Sequence, residues 1–541
     1  MNSIKVFCRE HYYLLSGLLM FLSFPSFDFI LLKGFPFFAW IFMVPLFMYV
    51  KDKPFKDVYL SSFLAGLLGN FLTYQWIGNF AGQGGGYPLI VIFMTLVLSV
   101  FFAAKIFLAE LISKLWPGFR FLIYPIIWCL FDWIQSVGYL AFPWMNIAHS
   151  QYPAVFVIQI TSIIGVVGLN FLMIITAYTI AEALNLYSSK ITEIKSYLRD
   201  VIFIRAASCV AIVLFVIIYG LVVVQTAGVA EKKDMRIGIA QSCIDPWKGW
   251  DQFALRYLKE LQTYTDRIVD DSLDLLVWSE SATLETISFR YKKGSPSFFD
   301  KELLNYVKSI GTPLLTGEIG LVPNNRPERR YNFWAQNNAA LINANGEVVD
   351  TYSKINLVPF GEWFPYAGVP LVGEAIDNLA ASMGGSSFLP GDGPKLMHIN
   401  GKAFAPLICY EGIFYRLCRK YKQMGADFFI NITNDGWSDD FSGHMQHFSA
   451  AVFRAVENGI WVVRAGNDGF SAFIDPYGRI TASMPMLQKG SFYGDIDFSL
   501  NHTTFYSNYG GYIQGVLVFA AFILFAARLF FFIRKRLLKR I

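Results

Sequence analysis

The sequence predicts a polytopic α-helical membrane domain of eight spans joined to an α/β domain, and three observations carry that prediction. Of 541 residues, 55% are hydrophobic and only 16% charged, against about 25% charged in an average soluble domain. The apolar excess is uneven: it lies in residues 1–230 and again in 510–533, while 231–508 alternates short β-branched runs with amphipathic segments. That alternation is the pattern of an α/β layer fold. The basic residues fall in alternate loops, as cytoplasmic loops of membrane proteins do. A disordered or collagen-like chain is excluded, and the net charge of +5 follows the loops and gives no reason to expect a nucleic-acid partner.

Taken in order, apolar runs occupy residues 12–32, 34–50, 58–78, 88–112, 121–140, 156–184 and 202–226, with an eighth at 510–533. Each approaches the roughly 20 apolar residues a spanning helix needs, the second being the shortest. Basic loops at 51–56, 114–120 and 190–205 and a basic tail at 534–540 alternate with loops at 79–87 and 141–155 that are nearly free of Lys and Arg. Seven spans with this charge pattern place both termini inside and the 231–508 block outside. The first run lacks a small-residue cleavage site, so it reads as an anchor. Asp132 and Glu182 are single acids near span ends, expected to be structural or interfacial. No series of carboxylates runs through the spans, which argues against a transporter. The expected division is 1–230, a seven-helix membrane domain; 231–508, a catalytic domain; and 509–541, the eighth helix with its tail.

Within the external block, strands are predicted at 235–241, 274–278, 312–318, 339–342, 405–409, 427–432, 461–464 and 471–474, and helices at 251–271, 299–310, 413–424 and 445–458. Asn345-Gly346 marks a two-residue hairpin between 339–343 and 347–352. Three of the six Cys, Cys243, Cys409 and Cys418, lie here, so at least one is a free thiol.

Three residues in this block suit covalent chemistry. Cys409 ends an apolar strand and leads into a helix, a turn that exposes a nucleophile beside backbone N–H groups and favours its thiolate. Glu280 follows the apolar strand Leu275-Leu-Val-Trp278, at the carboxyl end of a sheet where α/β sites form; partial burial would suit it to general-base work. Lys354 opens the largely apolar stretch 354–362, where it can stabilise an oxyanion and keep the thiolate charged, with Glu362 as its partner. Taken singly, a buried structural Cys, a helix-capping acid and a surface Lys are the bland readings of these three. His444 and His447 have no third ligand at metal-site spacing, so no metal is expected. No phosphate-binding loop or dinucleotide fingerprint is present, and no cofactor is expected.

Glu280, Lys354 and Cys409, in that order and each at a strand end, resemble the Glu-Lys-Cys catalytic set of the nitrilase (carbon–nitrogen hydrolase) superfamily, which implies an αββα sandwich. Joined to the membrane frame, the chain resembles the bacterial apolipoprotein N-acyltransferase family over essentially its whole length. The segments Leu357-Val-Pro-Phe-Gly-Glu362, Ile408-Cys-Tyr-Glu411 and Asn434-Asp-Gly-Trp437 are similar to the family's motifs. Trp278-Ser-Glu-Ser281 stands where the family usually has Trp-Pro-Glu-Thr, keeping the carboxylate. Trp250 and Asn332 match further family positions, and Trp250, Asn332, Glu362, Tyr410, Glu411 and Trp437 are the expected substrate-binding or supporting residues.

The resemblance implies a ping-pong acyl transfer through a Cys409 thioester. The donor would be a phospholipid, phosphatidylethanolamine; the acceptor, the α-amino group of a diacylglyceryl-cysteine lipoprotein. It implies an inner-membrane protein with its catalytic domain on the periplasmic side. Trp250, Trp363, Phe364, Tyr410 and Trp437 are candidate walls for the acyl chain, and 363–393 reads as a lid over the site. The alternative is a membrane-anchored nitrilase-like amidase acting on a small external amide, for which seven spans are far more than an anchor requires.

Overall fold

The computed structural model describes residues 10–29, 33–78, 87–138, 141–144, 146–188, 196–244, 249–270, 272–324, 333–363, 388–436 and 440–538. The membrane part contains α1 (Leu14–Ser23), a 3-10 turn (Pro36–Trp40), α2 (Val44–Val50), α3 (Phe55–Tyr74), α4 (Tyr87–Ser113), α5 (Arg120–Gln135), α6 (Val155–Ile158), α7 (Thr161–Ser188) and α8 (Ser196–Thr226). The sandwich follows as β1 (Met235–Gln241), α9 (Trp250–Thr265), β2 (Leu275–Trp278), α10 (Ile287–Lys292), α11 (Phe298–Ile310), β3 (Leu314–Pro323), β4 (Phe333–Ile342), β5 (Val348–Ser353), β6 (Met397–Ile399), β7 (Lys402–Ile408), α12 (Tyr415–Gln423), β8 (Phe428–Thr433), α13 (Phe441–Asn458), β9 (Trp461–Gly466), β10 (Ser471–Ile474), β11 (Ile480–Met484) and β12 (Gly490–Ile496). The long α14 (Phe505–Leu538) ends the described chain.

Among the described residues, five helices are long and apolar enough to cross a membrane: Leu89–Ser113, Pro117–Gln135, Thr161–Tyr187, Asp200–Thr226 and Phe505–Arg534. Leu14–Ser23 and Pro36–Val50 are apolar but shorter. Among its described residues, the run expected at 12–32 is helical only to Ser23. Phe24, at φ −103° and ψ 152°, takes the extended geometry imposed on a residue before proline, here Pro25. Asp132 is not interfacial but buried, paired with Lys105 at 2.9 Å.

The α/β domain is two six-stranded sheets, ordered β12-β1-β2-β3-β4-β5 and β11-β10-β9-β8-β7-β6. The centre of each is parallel, β1-β2-β3 in one and β7-β8-β9 in the other. Their faces follow from the two-residue period of a strand. In β2, Leu275 and Val277 join the core between the sheets, with Ile430, Val463 and Phe473 opposite. Leu276 and Trp278 point the other way, into a second core with Leu258 and Leu261 of α9 and Leu303 and Val307 of α11. The first core runs on without a break into the membrane helices through α13. The predicted strands and helices of this block all form, but the helix expected at 251–271 ends at Thr265. β6, β11, β12 and α10 were not anticipated: β6, β11 and α10 are brief, and β11 and β12 are partly exposed, without an apolar run to mark them.

Candidate active site

Three strand ends meet. Glu280 follows β2, Lys354 follows β5 and Cys409 follows β7, two of them at carboxyl ends of central parallel strands, where α/β sites form. Lys354 is 1% exposed and Glu280 3%. The Lys354 ammonium donates to Glu280 Oε1 (3.2 Å) and to Glu362 Oε1 (2.9 Å). Asn337 Nδ2, from β4, donates to the same two oxygens at 2.7 Å each. Glu280 Oε2 accepts from the Asn434 N–H at 2.8 Å, which leaves that oxygen a lone pair with which to receive a proton.

The backbone is under strain where these side chains leave it. Cys409 (φ 50°), Ser281 (φ 53°) and Phe360 (φ 64°) are all left-handed, a conformation costing on the order of 1–3 kcal/mol each. Cys409 opens a 3-10 turn, Cys409–Ile413, whose first N–H groups have no intrahelical acceptor. The turn bearing Glu280 lies tight against β3: a Cβ on Gly317 would stand 2.4 Å from the Ser281 nitrogen, so only glycine allows this approach.

Burial and then the Glu280 charge push the Cys409 thiol well above its ordinary value, and Lys354 works against them. Lys354 favours the thiolate, as expected, but burial and the Glu280 carboxylate outweigh it at this thiol. Burial opposes the Lys354 charge, but Glu280, Glu362 and Cys409 outweigh it and hold its pKa well above the usual value.

Glu411 is the clamp between two of these strand ends. Its Oε1 accepts from the Ile355 and Asn356 N–H groups and the Tyr352 hydroxyl, and its Oε2 from the Ile408 N–H, at 2.7, 3.2, 2.7 and 2.8 Å. Tyr410 reaches the membrane part: its hydroxyl donates to the Ala141 carbonyl at 3.0 Å, and its ring stacks on Trp144 at 6.1 Å. Trp250 lies in the core beneath the outer helices, against Phe299, with its indole N–H on Glu285 at 3.0 Å; its partners include none of Glu280, Lys354 or Cys409. Asn332, Trp437, Phe364 and the lid expected from 363 mostly lie outside the described residues. The two ends of that segment are pinned beside the site, the Phe388 N–H donating to the Glu362 carbonyl at 2.8 Å.

Reading the sequence singled out His447 and the motif containing Asp435, but neither Asn337 nor Arg464, and it did not bring Asp435, His447 and Arg464 together. The signal for Arg464 is a charged residue inside the apolar strand 461–464. Ligand atoms of Cys409, Asp435 and His447 lie within 4.8 Å of one another, but Arg464 Nη2 donates to Asp435 Oδ2 at 2.6 Å. A fixed guanidinium thus already holds the position of a cation. Burial opposes the Asp435 charge, yet Arg464 and His447 prevail and hold its carboxyl far below the usual range.

The family model for the apolipoprotein N-acyltransferase N-terminal domain matches residues 16–179, and that for carbon-nitrogen hydrolases matches 237–504. Apolipoprotein N-acyltransferase 2 of Treponema denticola is 32% identical over 404 residues, 71% of this chain and 72% of that protein. The chain belongs to the apolipoprotein N-acyltransferase family. Apolipoprotein N-acyltransferase 1 of the same organism is 28% identical over 97% of this chain and 96% of its own, and the Geobacter metallireducens protein 29% over 92% and 90%. The family's two matched segments correspond to the membrane helices up to α7 and to the two-sheet sandwich. The contact of Tyr410 with Ala141 and Trp144 therefore joins the family's two parts directly beside Cys409.

Proposed function

We propose that this chain is a phospholipid:apolipoprotein N-acyltransferase working through an acyl-thioester on Cys409, with Glu280 as general base and Lys354 in the oxyanion site. The convergence of those three side chains, in a chain related to apolipoprotein N-acyltransferases over almost its whole length, carries this reading. Glu280 Oε2 takes the thiol proton as sulfur attacks the ester carbon of a phospholipid. Lys354 Nζ and the Tyr410 N–H bind the oxyanion. The C–O bond breaks, the proton returns to the departing lysophospholipid oxygen, and the acyl group stays on sulfur. The α-amino group of a diacylglyceryl-cysteine then attacks the thioester, Glu280 accepts its proton, and the C–S bond breaks to restore the thiol. Covalent catalysis divides one hard transfer into two easier ones.

The acyl-enzyme survives only if water is kept away, and the aromatic stack of Phe142, Trp144 and Tyr410 suits that task. Glu362 and Asn337 hold Lys354 and Glu280 in register, and Glu411 supports them. The reading includes phosphatidylethanolamine as donor and Trp250, Asn332 and Trp437 as supporting residues. In its topology, α1, the Pro36–Val50 segment and α3 join the five long helices as eight spans of the inner membrane. Both termini are cytoplasmic, and the sandwich at 231–508 is periplasmic between the domain at 1–230 and the helix at 509–541.

Incubation with phospholipid should add one fatty-acyl mass to Cys409 as a hydroxylamine-labile adduct, read by mass spectrometry of the intact protein. Cys409→Ser should carry no such labile adduct and should not N-acylate a diacylated lipopeptide. A Cys409 variant that still N-acylates would overturn the mechanism.

A further inference from the structure

The Asp435–His447–Arg464 group touches neither Glu280 nor Lys354 in its hydrogen bonds, yet it converges on one atom of the nucleophile's backbone. His447 Nε2 lies 3.1 Å from the Cys409 carbonyl oxygen, and Asn431 Nδ2 donates to the same oxygen at 3.3 Å. A carbonyl only accepts, so Nε2 carries a hydrogen whatever the charge of the ring. Both donors are held by Arg464: Nη1 donates to Asn431 Oδ1 (2.7 Å), and Nη2 lies against Asp435 Oδ2 (2.6 Å) and His447 Nδ1 (3.1 Å). Asp435 Oδ1 is 2.8 Å from the same His447 Nδ1. Asn431, His447 and Arg464 are buried and the Asp435 side chain is 7% exposed, and Trp144 packs on the imidazole with ring centroids 5.2 Å apart.

We propose that His447 is a positioning residue for acyl transfer: with Asn431 it clamps the Cys409 carbonyl and thereby aims the Tyr410 N–H at the oxyanion. The carbonyl of Cys409 and the N–H of Tyr410 belong to one planar trans peptide and point in opposite directions. Fixing the oxygen fixes the direction of the N–H. Two donors on the oxygen also polarise the amide, which strengthens the N–H as a donor at its other end. The peptide needs such anchoring because it follows a residue in a strained conformation, Cys409 at φ 50°. The inference rests on the acyl-transfer reading and adds to it the device that orients the second oxyanion donor.

The test uses the full-length protein in phospholipid vesicles, following thioester formation on Cys409 by quenched time courses and mass spectrometry at several phospholipid densities. His447→Phe keeps the ring and loses the donor. It should slow the maximal rate of acyl-enzyme formation about 100-fold, with the half-saturating phospholipid density changed less than about threefold. His447→Gln, whose amide can still donate to the carbonyl, should recover most of that rate. Loss that is equal in the two variants, a His447→Phe rate within about threefold of wild type, or an effect confined to half-saturation would each overturn the clamp. Should His447→Phe not fold, Asn431→Ser tests the other arm: about tenfold slower acylation is expected, and an unchanged rate overturns the clamp. A wild-type protein that forms no thioester would instead count against the acyl-transfer reading itself.

Discussion

Glu318 sits on β3 beside the turn that carries Glu280, 1% exposed, with its oxygens taking the Ser288 N–H and hydroxyl. Burial pushes its carboxyl up to about 7 in spite of those bonds, and burial does the same to Glu411, to about 7. A raised carboxyl pKa means that the folded chain keeps a proton which the unfolded chain releases near its ordinary 4.5. The resulting stabilisation is complete below about pH 4.5 and is lost as the pH rises through about 7. In detergent, the thermal midpoint should therefore fall between about pH 5 and about pH 8, and Glu318→Gln, neutral throughout, should flatten that slope. Equal slopes for the two proteins would show that Glu318 does not titrate there. At this scale the sequence exposed Glu280, Lys354 and Cys409, because Glu280 and Cys409 stand at the ends of apolar strands and Lys354 opens a largely apolar stretch. It concealed Asn337, whose value is that one amide bridges Glu280 and Glu362, residues 57 and 25 positions away.

The helices of the membrane part depart most from a pattern of plain spanning segments, for reasons that lie in individual residues. Within α7 the chain kinks at Gly165 (φ 67°, ψ 177°), where a Cβ would stand 2.2 Å from the Tyr506 ring. The Val166 N–H freed by the kink donates to Glu457 of α13 at 2.8 Å. Asp132 of α5 accepts from Lys105 of α4 and from Asn170 of α7, at 2.9 and 2.8 Å. Asn170 also donates to Asn146 and accepts from the Ala148 N–H, both at 2.9 Å. The buried ion pair is thus tied to the loop that presents Trp144 to Tyr410. Asp132→Ala leaves Lys105 uncompensated and should destabilise the protein by roughly 3–5 kcal/mol, whereas Lys105→Met with Asp132→Leu should recover much of the loss. Unfolding in detergent measures both, and a double variant no better than the single one would refute the account.

For the molecule as a whole, α13 is the joint. Every residue of it except Phe441 and Met445 is buried, so it is covered on all sides, by the sheet on one side and by the membrane part on another. Gln446 accepts from Trp76 at 2.9 Å and donates to the Thr73 carbonyl at 3.1 Å. A fragment of residues 231–504 would uncover that second face. It should be insoluble or self-associated on gel filtration and fail to form the thioester; a monomeric, active fragment would show that the joint is dispensable. The sequence by itself determined the division into apolar spans and an α/β block, the strands of the two sheets other than β6, β11 and β12, and the trio at their ends. Those follow from local hydrophobic period and from motif residues, which need no partner in order to be read. Only the tertiary structure decided that burial pushes the Cys409 thiol up, that Asn337 and Glu362 hold the charges in register, and that the membrane loop packs beside Cys409 through Trp144 and Tyr410. Burial, desolvation and contacts between segments far apart in the chain are properties of the packed molecule, and no local pattern records them.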